Sequence, residues 1–361
     1  MRPVFSIKIA VIILLIILIV LTLYKSVLKK PAPKQEVHTI RVLESVRSPY
    51  FLPQYLALNL GFFKEQDLDV KITTTSPEAI RAALADQRTD VALCGLQKII
   101  FNPDDPGREK TAPIVFATMA CRDGSFLLAR KNDSDFRWLD MKDKTIIGSP
   151  HNDSSEIALE DVLRKAGILP YRQVTIYHNI PETLRVGAFR AGTGNYLQLL
   201  EPEATVAEMK GYGQVVASVG AAGEDMTITA YAALPGYIES HPETIQRFTN
   251  AIYKAQLWLK QHSAEEAARA VYPSFSNLEM QVLIKSIERY GTLRIWADNP
   301  VVEREPYERF NIAAKNAGEI AAPVPYDTTV VTNFARQAVE TVIYVQETEK
   351  KKRKSFMMFF Q

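Results

Sequence analysis

The residues of this chain that could do chemistry are mostly hydroxyls, amides and single charges placed where strands or helices begin and end. The sequence has two cysteines, Cys94 and Cys121, five histidines and no Cys-x-x-Cys pair, so a zinc or redox centre has no support. His151 and His178 lack cysteine or carboxylate partners at ligand spacing, and we interpret them as polar loop residues. The pattern predicts no catalytic residue, no cofactor and no metal.

The first candidate ligand contacts follow the run Thr39–Val46, which has the composition of a short strand. Ser48, Pro49 and Tyr50 come next. In open α/β sheets ligands bind where parallel strands end, so these three residues are predicted to contact a ligand. Tyr50 could instead only cover the core.

Polar residues at two predicted helix starts form a second group. Ser76 stands before a proline and an acid, and Asp153, Ser154 and Ser155 stand before an apolar periodic run. The unpaired N–H groups of helix N-termini suit anions. We predict that these two starts, one in each of two α/β blocks, face a common cleft. The alternative is that these serines only cap helices.

Gly95 and Gln97 follow a short apolar strand. Gln97 could orient a polar ligand or cap the following turn. Arg122 could pair with an anionic ligand through its fork of donors, or lie with Asp123 in a solvated turn.

Tyr196 and Glu201 complete the candidates in the second block. Gly192-Thr193-Gly194 precedes them, but G-x-G alone is a weak phosphate-loop signal. We interpret it as a tight strand start from which Tyr196 reaches the cleft. Glu201 and Pro202 form the turn after that strand.

The apolar runs and turn residues along the chain predict strands that alternate with helices in βαβ units. Strands are predicted at 39–46, 70–74, 89–95, 113–121, 125–130, 144–148, 173–177, 196–200, 214–218 and 227–234. Helices are predicted at 53–60, 76–85, 153–167, 181–189, 242–261, 264–271, 277–290, 303–317 and 328–353. The fold class is therefore α/β, with two blocks followed by a helical tail, and 125–130 and 227–234 carry the chain between the blocks.

The N-terminus differs from the rest. Ile9–Leu23 is almost entirely apolar, and 7–24 approaches the length that spans a bilayer. We interpret 7–24 as a retained transmembrane signal anchor and 25–37 as a stiff linker, with a cleaved signal peptide as the alternative. The tail 346–361 is basic and then aromatic; contact with a membrane surface and a frayed end both remain open.

The bulk composition excludes one class of partner. The chain has 361 residues and a formal net charge of +2. This length suits about two domains, and the near-neutral balance argues against nucleic acid.

The soluble part resembles the bilobal substrate-binding proteins of ABC importers, in the nitrate/sulfonate/taurine and thiamine-pyrimidine-precursor group, over roughly residues 38–345. Five motifs in the family's order carry the resemblance: LPQYLA with GFFKEQDLDV at 52–57 and 61–70, ALADQRTDVALCG at 83–95, LDMKDKTIIG at 139–148, EP at 201–202, and HPE at 241–243. Asp67 and Asp143 lie in turns where the family carries glycine. Arg190-Ala191-Gly192 stands where the family usually has an aspartate, which affects the ligand set of the second lobe.

The resemblance implies a type II periplasmic-binding-protein fold whose two lobes close on a ligand by a hinge. Lobe 1 would comprise 38–126, lobe 2 127–226, and 227–345 would return to lobe 1 and form the C-terminal helices. The ligand would be a small anionic or aromatic molecule of the sulfonate, taurine, nitrate or pyrimidine type. The partners would be an ABC permease and ATPase, with a monomeric body held on the outer face of the cell membrane by the N-terminal helix.

Two other functions remain open. Fungal relatives synthesise the thiamine pyrimidine with a cysteine-rich motif and an active-site histidine, and this chain has no cysteine cluster. A receptor module that reports ligand occupancy to a sensor is the second alternative. Cys94 and Cys121 are expected to end neighbouring strands, where they would form a disulfide or act as buried small hydrophobes.

Overall fold

Ten strands form two five-stranded sheets in the part of the chain described by the computed structural model, residues 37–100, 112–131 and 135–345. The strands are β1 His38–Glu44, β2 Leu68–Thr74, β3 Val91–Gly95, β4 Ile114–Ala120, β5 Phe126–Ala129, β6 Thr145–Ile147, β7 Thr175–Tyr177, β8 Tyr196–Leu199, β9 Gln214–Ser218 and β10 Thr229–Ala233. The first sheet has the order β2-β1-β3-β10-β4, and the second has the order β7-β6-β8-β5-β9.

The predicted anchor at 7–24, all of the predicted linker except Val37, and the tail 346–361 lie outside the described residues. No helix within the described ranges is long and apolar enough to cross a membrane.

Each sheet contains four strands that run in one direction and one strand that runs antiparallel to both its neighbours. In the first sheet β1 is parallel to β2 and β3, and β10 is antiparallel to β3 and β4. In the second sheet β6 is parallel to β7 and β8, and β5 is antiparallel to β8 and β9. The antiparallel strands β5 and β10 are those that follow the crossings between the sheets. Phe126 pairs within the second sheet.

Helices connect and cover the strands. In chain order they are α1 Leu52–Asn59, α2 Pro77–Ala85, α3 Leu96–Ile100, α4 Ser154–Lys165, α5 Glu182–Arg190, α6 Glu203–Met209, α7 Val219–Ala222, α8 Pro235–Ser240, α9 Pro242–Leu259, α10 Ala264–Val271, α11 Met280–Thr292, α12 Arg304–Ala317, α13 Tyr326–Thr329 and α14 Asn333–Thr341. Single 3₁₀ turns lie at Pro49–Phe51, Lys64–Gln66, Trp138–Met141 and Tyr272–Ser274. We call the parts built on the first and second sheets lobe 1 and lobe 2.

Two aspartates occupy left-handed turn positions. Asp67 has φ of +55° and ends the 3₁₀ turn Lys64–Gln66, and Asp143 has φ of +62°. Glycine adopts this conformation at little cost, and aspartate is among the few other residues that visit it routinely. The two departures from the family pattern therefore preserve the turn conformation.

The expectation that Cys94 and Cys121 end neighbouring strands is wrong. β10 lies between β3 and β4, so Cys94 pairs with Ala230 of β10 instead of facing β4. Both cysteines are free. Cys94 is completely buried, in keeping with a small hydrophobic role.

An aromatic group fills the junction of the lobes. The Tyr290 ring of α11 packs between Tyr50 of lobe 1 and Phe126 of lobe 2, at centroid distances of 5.8 and 6.0 Å. Trp296 packs against Tyr290 at 5.8 Å and donates its indole N–H to the Tyr50 carbonyl at 3.0 Å. The connection from β4 to β5, residues 121–125, is the first crossing between the lobes. It is flanked by apolar packing as well as by hydrogen bonds.

Gly220 is required where α7 packs against the first crossing. A Cβ at this position would overlap the Asp123 carbonyl oxygen and contact the Asp123 backbone at 3.0 Å. We therefore predict that Gly220→Ala destabilises the protein by about 1–3 kcal/mol, as overpacking does. Chemical denaturation measures the effect.

Gly187→Ala is the matched control. Gly187 lies within α5 and a Cβ there would meet nothing within 4 Å, so alanine is expected to stabilise by about 0.5–1 kcal/mol. Equal effects of the two substitutions would contradict the packing assigned to Gly220.

Candidate ligand cleft

The carboxyl ends of the parallel strands in the two lobes face each other. Ser48, just after β1, donates its hydroxyl to the Glu201 carbonyl, just after β8, at 2.6 Å. Ser154, at the start of α4, donates to the Gln97 amide oxygen, just after β3, at 2.5 Å. We call the region between these two edges the cleft, and these four predicted site residues lie on its walls.

The loop after β1 is held firmly. The Ser48 hydroxyl also accepts from the Tyr50 N–H at 3.1 Å and so caps the 3₁₀ turn. Tyr50 donates its hydroxyl to the Arg122 carbonyl at 2.9 Å and stacks on Phe51. Pro49 and Tyr50 are buried. Burial raises the pKa of Tyr50 well above its ordinary value.

Gly95 permits the close approach of the two lobes. A Cβ here would overlap the Ser154 hydroxyl and lie 2.5 Å from the Gln97 amide oxygen. Ser154 makes a second, longer bond to the Ile228 carbonyl at 3.3 Å. A larger residue at position 95 would therefore displace the Ser154 and Gln97 side chains from their present positions.

The start of α4 is also bonded to the first crossing. The Asp153 carboxylate caps the helix by accepting from the Ser155 N–H at 2.9 Å. The Ser155 hydroxyl donates to the buried carboxylate of Asp123 at 2.6 Å. Asp123 also accepts from the Ser125 N–H at 2.9 Å. The alternative that Asp123 lies in a solvated turn is wrong, because its exposed fraction is 2%.

Gln198 completes this network, and sequence reasoning missed it. Its amide oxygen accepts from the Ser149 N–H at 2.9 Å. Its amide nitrogen donates to the Ser125 hydroxyl at 2.8 Å and the Ser155 carbonyl at 2.9 Å. The sequence did contain a sign of this role: Gln198 lies within the apolar run of β8, and a buried amide must have hydrogen-bond partners.

Glu201 organises contacts behind the cleft. Its fully buried carboxylate accepts from Arg289 of α11 at 2.7 Å, from Ser286 at 3.1 Å, and from the backbone and hydroxyl of Thr205 at 3.0 Å. Its N–H donates to the Tyr290 hydroxyl at 2.9 Å. These contacts bind lobe 2 to α11 and engage both oxygens of the Glu201 carboxylate.

Three predicted site residues are not brought to the cleft walls. Arg122 pairs with Asp225 at 2.6 Å and donates to the Leu293 carbonyl at 3.1 Å. Ser76 is exposed at the start of α2, where it makes no side-chain capping bond. Tyr196 packs on Phe136 in the core of lobe 2, because it begins β8 while the cleft lies at that strand's other end.

Arg185 of α5 is a buried cation that sequence reasoning missed. Its exposed fraction is 5%, and a long bond of 3.5 Å joins it to the carbonyl of Gly148, just after β6. Among the described residues, its Nε atom has no hydrogen-bond partner. The bond to Gly148 places Arg185 beside the strand ends of lobe 2, and a long ion pair of 3.9 Å joins it to Glu182. The positive charge of Arg185 partly offsets the rise in the pKa values of Asp153 and Glu203.

Two acids around Arg185 have raised pKa values. Desolvation by burial is the main cause for both, and it raises the pKa of Asp153 to about 6 and that of Glu203 to about 7. The nearby charge of Asp123 adds to the shift at Asp153, and those of Glu182 and Glu201 add to it at Glu203. The Glu203 residue is exposed and Asp153 is half-buried, so a pH dependence is expected only from the shift at Asp153.

The raised pKa of Asp153 predicts a pH dependence of stability. The protonated carboxyl favours the folded state, so its contribution is fully present below the ordinary pKa of 3.8 and is lost as the pH rises through about 6. Asp153→Asn keeps a capping oxygen and removes the titration. The free energy of unfolding of the variant minus that of wild type is therefore expected to rise by about 3 kcal/mol from pH 3 to pH 8.

Urea denaturation of both proteins from pH 3 to pH 8 measures the difference between their free energies of unfolding. Other carboxyls titrate in both proteins, so their contributions largely cancel in this difference. Lys98 and Arg185 oppose the shift, and Asp123 adds to it. A difference that stays constant with pH would contradict the assignment.

His151 and His178 lie in loops, as predicted, and both also lie beside carboxylates. The Nδ1 atom of His151 lies 3.2 Å from Glu156 and 3.5 Å from Glu319. The Nδ1 atom of His178 lies 3.9 Å from Glu156. Glu319 is distant in sequence, so residue spacing gave no sign of this group.

Two α/β lobes joined by two crossings, with facing strand ends, define the architecture of the periplasmic binding proteins. The family model described as "NMT1/THI5 like" matches residues 48–266, and the chain belongs to this family.

One bacterial relative matches most of the chain. The chain is 32% identical over 310 residues to a Bacillus subtilis (strain 168) protein named "Putative binding protein YtlA", with 85% of this chain and 92% of that protein covered.

Solved structures share the fold. One, from Methylobacillus flagellatus KT, is described as "putative sulfonate ABC transporter, periplasmic sulfonate-binding protein SsuA". It has a TM-score of 0.63 and 15% identity, over 84% of this chain and 95% of that one. The periplasmic nitrate-binding protein NrtA from Synechocystis PCC 6803 has a TM-score of 0.62 and 13% identity, over 84% and 89%.

Proposed function

We propose that this protein is the extracytoplasmic solute-binding component of an ABC importer and that it binds a small anionic molecule between its lobes. The observation that carries the proposal is Arg185, a buried cation with an unpartnered Nε beside the carboxyl ends of the lobe 2 strands. Its ion pair with the exposed Glu182 is long, at 3.9 Å, whereas a buried charge requires a close partner. A sulfonate, nitrate or carboxylate oxygen would supply one through a charge-assisted hydrogen bond.

The lobe contacts support binding by closure. The bonds from Ser48 to Glu201 and from Ser154 to Gln97 join residues of different lobes at the cleft. Such bonds exchange for bonds to water when the lobes separate, so their net contribution is only about 0.5–1.5 kcal/mol each. A ligand that contacts both walls could therefore shift the equilibrium between open and closed lobes.

The proposal extends to partners and location. Sulfonate and nitrate binding by the structural neighbours supports a ligand of the sulfonate, taurine or nitrate type, and an aromatic or pyrimidine ligand is the other option within the family. A permease and an ATPase would receive the solute from the closed form. We propose a monomer held at the outer face of the membrane by residues 7–24.

Cysteine chemistry does not favour the enzyme alternative. Burial raises the pKa of Cys94 to about 12 and that of Cys121 to about 11. Both thiols therefore stay protonated at neutral pH, whereas the thiolate is the nucleophile. The sensor alternative uses the same cleft, and reconstitution with the permease and ATPase would separate it from transport.

Ligand binding and the role of Arg185 are testable together. A thermal-shift screen of the full chain should include taurine, alkanesulfonates, nitrate, aromatic acids and aminopyrimidines. An anion at 100 times its Kd stabilises the protein by about 2.7 kcal/mol. We predict that Arg185→Gln weakens that binding about 10- to 100-fold, because a hydrogen bond to a charged group is lost.

Arg190→Gln is the control. Arg190 is exposed at the end of the same helix, where its guanidinium lies over the Tyr212 ring at 4.2 Å. The Arg190→Gln protein should bind the anion with the same affinity as wild type. Stabilisation by a neutral pyrimidine alone, or an anion affinity that survives Arg185→Gln, would contradict the anionic assignment.

A further inference from the structure

A second group of chemically capable side chains lies beside the cleft, outside the proposed solute site. It consists of His151, Glu156, His178 and Glu319. In His151, Glu156 and Glu319, one potential ligand atom of each residue lies within 4.8 Å of those of the other two. The imidazole rings of His151 and His178 lie 5.1 Å apart. We infer that these four residues form a binding site for a divalent transition-metal cation of the Zn²⁺ class.

The distances suit such an ion. Zn²⁺ is bound tetrahedrally by imidazole nitrogen and carboxylate oxygen at about 2.0–2.2 Å, which places ligand atoms about 3.3–3.5 Å apart. The His151 nitrogen lies 3.2 Å from the Glu156 oxygen and 3.5 Å from the Glu319 oxygen. The His178 nitrogen, at 3.9 Å from Glu156, needs only a small ring movement to complete the set.

Glu156 is oriented as a metal ligand would be. Its carboxylate side chain is 1% exposed. One oxygen accepts from the Asn152 N–H at 2.6 Å, and the other accepts from the Tyr171 hydroxyl at 2.8 Å. Outer hydrogen bonds of this kind fix the direction of ligating carboxylates.

His178 provides an independent indication of a missing partner. Its Nδ1 atom is buried and has no hydrogen-bond partner within the described parts of the chain. The atom points toward the Glu156 carboxylate at 3.9 Å, beyond hydrogen-bond distance. A neutral imidazole nitrogen in this position is a ready metal ligand.

The local charge also favours a cation. Glu156 and Glu319 converge on the site, and Glu160 lies close enough for its charge to raise the pKa values of His151 and Glu319. Arg164 pairs with Glu160 at 2.7 Å, and Lys98 acts on Glu319 from lobe 1. A divalent ion would balance the two carboxylates that face the histidines.

The site would also connect lobe 2 to the C-terminal segment. His151 and Glu156 lie at the start of α4 in lobe 2, and His178 follows β7. Glu319 follows α12, a helix of the C-terminal segment that packs on α4. A bound ion would therefore hold α4 against that segment and favour the closed arrangement.

Zinc titration of the full chain tests the site. The protein is purified in detergent through a histidine-free tag, stripped with chelator and titrated with Zn²⁺ by calorimetry. We expect one ion per chain and proton release on binding at acidic pH, because the histidines must lose protons. Glu319→Gln and His178→Gln should each weaken binding about 10-fold or more. Co²⁺ should give visible bands of tetrahedral nitrogen–oxygen coordination.

The controls distinguish this site from surface binding and from the solute site. Glu239→Gln and His38→Gln change exposed residues elsewhere and should bind Zn²⁺ as wild type does. Arg185→Gln should also keep Zn²⁺ binding, so failure of the solute proposal would leave this one standing. Unchanged affinity in both Glu319→Gln and His178→Gln, or equal losses in the controls, would overturn the metal site. Circular dichroism of each variant checks that it folds.

Discussion

The hydrogen bond from Ser155 to the buried carboxylate of Asp123 is the interaction on which the rest of the cleft depends. It joins the N-terminus of α4 to the first crossing between the lobes. The same helix start presents Ser154 to Gln97 of lobe 1 and carries Glu156. Without this bond a buried carboxylate would lose a partner, at a cost of about 1–3 kcal/mol or more. The position of α4 is therefore fixed by electrostatics as well as by packing.

Sequence patterns predicted the arrangement of elements well because most of it follows from local chemistry. Short apolar runs bounded by turn residues located all ten strands to within a few residues, and the long helices of the tail follow apolar periodicity. The helix α6 was missed because it has only seven residues and starts directly after Pro202. The predicted helix at 328–353 is interrupted, with α14 spanning Asn333–Thr341 and 346–353 lying outside the described residues.

Long-range placement was harder to predict. Nothing local to Thr229–Ala233 indicates that β10 inserts between β3 and β4, yet this insertion separates Cys94 from Cys121. The residues that sequence reasoning missed at the cleft, Arg185 and Gln198, have partners far away in sequence. The positions of Ser48, Gln97 and Ser154 were predictable because turn residues and capping residues indicate where strands end and helices start. Tyr196 was misplaced because it begins β8, whereas the cleft lies at the carboxyl ends of the parallel strands.

Two binding roles are proposed for the same small region. Arg185 and the strand ends of lobe 2 would hold an anionic solute, while the histidine–glutamate group would hold a cation. Both sites connect to α4, so each would favour the same closed arrangement by mass action. Neither requires a nucleophile, which agrees with the binding proteins that share this fold.

Hydrogen exchange of the full chain, followed by mass spectrometry, tests the central claim of ligand-driven closure most directly. The protein is compared with and without saturating taurine, an alkanesulfonate or nitrate. We predict that at least one of these slows exchange at both cleft edges, in 45–52 and 95–98 of lobe 1 and in 148–155 and 200–205 of lobe 2. Protection confined to one lobe, or no protection with any of the three, would contradict closure around an anionic solute.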